Sequence, residues 1–183
     1  MIPEYGCVGM ALAGDHVQWV VDTTRREGVR AIGDAHLRAS LFHELHHLAR
    51  GWTSSAGTWA GIPLLARAGR TRPPKPWPDG EGVLNAIVSE GLATAFERDS
   101  AGHRALWGLY PLNVRDWVAE LLTLPADAMY SEWMFDHSDG RRWVGYRAGT
   151  YLADRAIAAS GRSAAELVTT PADEILALAL PAC

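Results

Sequence analysis

The chain has 183 residues, 48% of them hydrophobic and 21% charged, with a formal net charge of -4. That length suits one hydrophobic core and a single domain over residues 1–183, and the composition excludes a disordered chain. The mild negative charge and the lack of any Lys/Arg run exclude a polyanion-binding protein, so nucleic acid is not an expected partner.

The opening residues, Met1-Ile2-Pro3-Glu4-Tyr5-Gly6-Cys7, have neither a basic start nor an apolar h-region. No stretch approaches ~18 uninterrupted apolar residues, so neither a signal peptide nor a membrane span is expected. Cys7 and Cys183 stand at opposite ends, which is no disulfide framework and points to a reducing, cytoplasmic compartment.

After a Gly-rich stretch from Gly6 to Gly14, residues Asp15 to Asp22 are rich in β-branched and aromatic side chains and predict a strand at or near a sheet edge. From Asp34 to Arg50 the pattern becomes helical, with Asp34 as N-cap and Gly51 just past the end. Leu37, Leu41, Leu45 and Leu48 form one stripe that should anchor this helix, while His36, Ser40, His43 and His47 fall on a different face.

Between Gly51 and Gly82 periodicity breaks, and Trp52, Trp59 and Trp77 stand in or beside this long loop, as core anchors or as the lining of a substrate pocket. Helices are then predicted over Val83–Arg98, Pro111–Leu124, Asp127–Phe135, Arg141–Ala159 and Ala172–Leu180, with Gly140, Gly161 and Pro171 between them.

The chemistry concentrates in His43-Glu44-Leu45-His46-His47. Histidines four apart on a helix project from one face about a turn apart, so both can reach one ion. Glu44, directly after the first histidine, is turned away from ligation but stands where a carboxylate can deprotonate a water activated by zinc. A catalytic zinc takes three protein ligands, so one more is required. The best candidate is Glu90, a charge set among apolar and small residues from Ala86 to Phe96, where it would be costly without a partner. Gly91 and Ala93 would let the two helices approach for coordination.

With Ser89-Glu90-Gly91-Leu92-Ala93 downstream, the histidine motif resembles the gluzincin-type pattern of a domain family of predicted Zn-dependent proteases. The resemblance implies Glu90, before Gly-Leu-Ala, as third ligand. Val144-Gly145-Tyr146-Arg147-Ala148-Gly149-Thr150-Tyr151-Leu152 is similar to that family's Gly-Tyr-x-x-Gly-Tyr helix, which makes Tyr146 the first choice to hydrogen-bond the oxyanion. The sequence departs from the pattern at Thr150, where the second tyrosine is expected, with Tyr151 shifted by one, and it begins almost at the predicted strand, where the family would be expected to show an N-terminal extension.

His137, in an acidic turn, is the alternative oxyanion donor, and His46 points about 100° away from His47, outside the ligand set. Asp136, Asp139, Asp99 or Glu97 could orient a liganding imidazole.

Together these readings predict a mostly α, α+β, zincin-like metallopeptidase domain with a small N-terminal β-element and an active-site helix pair. Zn²⁺ would be held by His43, His47 and Glu90, with Glu44 as general base and a peptide or protein as substrate. The rival readings are a non-catalytic zinc-binding module with the same ligands, and a deformylase-like amidase in which Cys7 replaces Glu90.

Overall fold

A computed structural model describes residues 2–12, 16–51, 82–125 and 128–180. Among these residues the protein is mostly helical with one small N-terminal sheet. Strand β1 (Cys7–Leu12) pairs antiparallel with β2 (His16–Val21), in a register that runs from Cys7 opposite Val21 to Leu12 opposite His16. The strand predicted over Asp15–Asp22 is β2, but the Gly-rich stretch before it is itself a strand. Cys7, Val8, Met10 and Ala11 of β1 are buried, so Gly9 interrupts a packed strand rather than a loop.

Helix α1 (Gly28–Arg50) begins six residues before Asp34. Val29-Arg30-Ala31-Ile32 carry it backward with Ile32 buried, and Gly33 inside it costs only ~1 kcal/mol of propensity. Gly51 ends it in the left-handed region (φ 79°), donating its N–H to the Leu48 carbonyl at 3.1 Å.

The leucine stripe does not anchor α1. Leu41 is 37% exposed and Leu45 49%, whereas His43, Glu44, His46, His47 and Arg50 are all buried. The face that carries these polar groups is the one turned toward β1 and the next helix, so the usual amphipathic arrangement is inverted. Burying that face requires partners for every polar group. Arg50 shows how this is met: its Nε donates to Ser89 Oγ at 2.9 Å and one terminal nitrogen to the carbonyls of Val168 and Thr170.

Helix α2 (Val83–Ala101) is central, with α1 on one side and α5 (Val144–Ser160) on the other. Gly91 meets Gly149 of α5, and a Cβ on either residue would run into the other helix's backbone. This corrects the expectation that Gly91 opens room toward the histidine helix; the close approach it permits is to α5. Ile87, Val88 and Leu92 of α2 and Val144 and Leu152 of α5 build the apolar core, closed by Leu121, Met134, Leu167 and Ile175.

The remaining helices are α3 (Val114–Leu121), α4 (Tyr130–Met134) and α6 (Ala172–Ala179), with a 3₁₀ turn at Leu106–Gly108. Pro111 precedes α3 by three residues and accepts a turn hydrogen bond from Val114. Helix α5 cannot start at Arg141, because Trp143 holds a left-handed φ of 56° and donates its N–H to Phe135. Residues 52–81, with Trp52, Trp59 and Trp77, lie outside the described residues. No described helix is long and apolar enough to cross a membrane.

Candidate metal centre

His43 and His47, one turn apart on α1, set their rings 4.7 Å apart at 76°. Across the seam, Glu90 of α2 points one oxygen at both: Oε2 lies 3.0 Å from His43 Nε2 and 3.3 Å from His47 Nε2. All three residues are buried, and among the described residues they form the one group of His, Cys, Asp or Glu whose ligand atoms lie within 4.8 Å of one another.

Two turns along α2, Glu97 accepts from His43 Nδ1 at 3.1 Å and, through its other oxygen, from His103 Nδ1 at 2.8 Å. A carboxylate can only accept, so without an ion both His43 nitrogens carry a proton, Nδ1–H donating to Glu97 and Nε2–H to Glu90; an ion would take the place of the Nε2 proton while Glu97 keeps hold of Nδ1–H. Burial alone would lower the His43 pKa, but hydrogen bonds to Glu90 and Glu97 raise it well above the ordinary histidine value. Burial pushes Glu90 upward, yet the neighbouring imidazoles outweigh it and hold its pKa at about 2. Burial lowers His47 to about 4. Two imidazole nitrogens and one carboxylate oxygen aimed at a common point are a donor set that fits zinc.

Glu44 leaves α1 in another direction, against β1. A Cβ on Gly9 would stand 2.9 Å from both Cγ and Oε1 of Glu44, so only glycine leaves room for this carboxylate. The Ala11 N–H donates to it. Burial, reinforced by repulsion from Glu90 and Glu97, overcomes the opposing charge of His43 and raises Glu44 to about 7.

Tyr146 reaches the same centre from α5 and hydrogen-bonds Glu90; burial and the Glu90 charge hold its phenol well above the ordinary tyrosine value. Tyr130 of α4 also faces Glu90, its hydroxyl 3.5 Å from Oε1. Other candidates lie elsewhere. His137 pairs with Asp139 at 2.9 Å and rests on the Trp133 ring, away from the cluster. His46 bonds the Ala164 carbonyl through Nε2 at 3.3 Å and packs on Phe96. His36 stacks on Tyr5 at 4.2 Å.

Of the four carboxylates that could orient an imidazole, Asp99, Asp136 and Asp139 pair with Arg98, Arg142 and Arg141, and Glu97 takes His43. Thr150 bonds back to the Tyr146 carbonyl, and Tyr151 accepts from Arg115, so neither restores a second tyrosine to the site. Cys7 is a free, buried thiol outside the ligand group, which leaves the amidase reading without its ligand.

Sequence reasoning missed Tyr130, Gly9 and His103. A lone glycine in a strand often marks a close approach, which was the available signal for Gly9. Glu97 lies seven residues after Glu90 and therefore on the same helical face, a spacing that favours it over the aspartates. Tyr130 has no periodic relation to the other site residues.

A buried His-His-Glu group on two packed helices, with a carboxylate beside it, defines a candidate metal centre. A family model described as predicted Zn-dependent protease (DUF2268) matches residues 75–177, more than half of the chain, and the chain belongs to that family. The matched stretch includes Glu90, Glu97, Tyr130 and Tyr146, while His43, Glu44 and His47 lie ahead of it. No curated protein and no solved structure matches the chain.

Proposed function

We propose that this protein is a gluzincin-type zinc metallopeptidase with a zincin-like fold, acting on a peptide or protein as a single domain in the cytoplasm. The observation that carries this reading is the convergence of His43 Nε2, His47 Nε2 and Glu90 Oε2 beside an independently held Glu44. When bound there, zinc supplies a Lewis acid that acidifies water and polarises a carbonyl.

The chain's own residues supply the rest. Glu44, in its ionised form, takes a proton from the attacking water and returns it to the departing amine. Its pKa of about 7 suits both directions of transfer near neutrality. Tyr146 stays protonated and donates to the developing oxyanion.

β1 supports the placement of substrate. Gly6 bonds β2 through the Asp22 N–H, so the alternate residues Cys7, Gly9 and Ala11 turn their backbone groups to the opposite side, where Ala11 meets Glu44. An extended peptide adding along that edge runs past the base.

The test is Glu44→Gln with zinc content measured alongside hydrolysis. The proposal expects zinc to be retained and hydrolysis to fall by ~10²–10⁴-fold. Hydrolysis unchanged in the variant would remove Glu44 as the base, and zinc bound without any hydrolysis in the unmutated protein would leave a non-catalytic zinc-binding module as the better account.

A further inference from the structure

The two oxygens of Glu90 face different chemistry. Oε2 stands between the two imidazole Nε2 atoms, while Oε1 faces the Tyr130 hydroxyl at 3.5 Å. Glu90 is 3% exposed, so water does little to satisfy either oxygen. A carboxylate offers about four lone-pair sites, and a buried oxygen without a donor is costly.

We propose that Tyr130 is a positioning residue for the metal: its hydroxyl engages Oε1 so that Glu90 presents Oε2 alone to the ion. This rests on the zinc reading above. It assigns to Glu90 the same kind of outer partner that Glu97 gives His43, on the oxygen the histidines leave free.

The setting of Tyr130 suits that role. It lies on α4, which packs against both α2 and α5, and its ring meets Phe135 edge to face at 6.1 Å. Burial raises its pKa well above the ordinary tyrosine value, with the Glu90 charge acting in the same direction, so the phenol is a donor throughout the neutral range. Its hydroxyl also contacts that of Tyr146. Both tyrosines therefore reach Glu90, and the proposal assigns the hold on Oε1 to Tyr130.

Tyr130→Phe removes the donor and keeps the ring. Zinc affinity, measured by competition with a chromophoric chelator, should weaken by about 10- to 100-fold. In the cobalt(II)-substituted protein, the visible bands should lose intensity as Glu90 turns bidentate and the coordination number rises. Tyr146→Phe, which also gives up a hydrogen bond to Glu90, should lower kcat and weaken zinc affinity by less than Tyr130→Phe does.

Wild-type affinity and spectrum in Tyr130→Phe would overturn the inference, as would loss of zinc in Tyr146→Phe of the same size. X-ray absorption at the zinc edge of the unmutated protein gives a check that does not depend on any variant folding, and a bidentate Glu90 there also overturns it. If the unmutated chain binds no zinc, the metallopeptidase reading itself fails, and that is seen before any tyrosine variant is made.

Discussion

Against α1, helix α2 presents Glu90 and Glu97 to imidazoles and Ser89 to Arg50; against α5, it presents Gly91 and the apolar side chains around it. The second seam is an ordinary source of stability, with each fully buried side chain such as Ile87 or Leu92 worth ~1.5–3 kcal/mol. The first is built from charges and imidazoles whose burial costs about as much as their pairing returns. One helix thus carries an apolar seam and, on its other side, a polar seam with the candidate metal centre.

The largest effect is expected from Gly91→Val, at the apolar seam. Its Cβ would collide with the Gly149 backbone, which cannot rotate away as a side chain can. A loss of more than ~4 kcal/mol is expected, read as a collapse of the thermal transition in circular dichroism. A stable, folded variant would show that the α2 and α5 seam is not what holds the protein.

The polar seam should respond differently, because Glu44→Gln ought to stabilise the metal-free chain at neutral pH. With the Glu44 pKa raised to about 7 from the ordinary 4.5, the folded state binds the extra proton between those values. Its stabilising effect is complete below about 4.5 and is lost as pH rises through about 7. Gln cannot ionise, so the advantage of the variant grows across this window to about 3 kcal/mol and then levels off. Melting curves of both chains in chelator from pH 4 to 8 give the result, and a constant difference refutes it.

Glu97→Gln acts on the polar seam directly. It keeps the shape of the side chain but weakens its hold on His43, and zinc should bind ~10–100-fold more weakly. Chelator competition measures this, and an unchanged affinity would make Glu97 a bystander. The smallest effect is expected on the outer face of α1, where Leu45→Lys should change stability by only ~0.5 kcal/mol because Leu45 is half exposed. A large loss in urea denaturation would mean that this face is covered in solution.

Some of this was written plainly in the chain. The i, i+4 spacing of His43 and His47, the glutamate between them and the isolated charge of Glu90 in an apolar helix identified the group that the fold brings together. These are local facts, because helical periodicity fixes which side chains share a face. The left-handed Gly51 that closes α1 belongs to the same class.

The sequence could not say which face of α1 turns inward. Four leucines at helical spacing define a stripe whatever lies beside them, and only the packing of α1 on β1 and α2 shows the imidazole face to be the buried one. Gly91 was legible as a close-packing residue but not as a neighbour of Gly149, which is 58 positions away. Glu97 was one of four carboxylates until three of them met arginines, and Tyr130 had no local mark. The sequence by itself determined the donor types and their helical spacing, which follow from local backbone geometry. The tertiary structure alone decided the partners of those donors, because that choice depends on where distant elements pack.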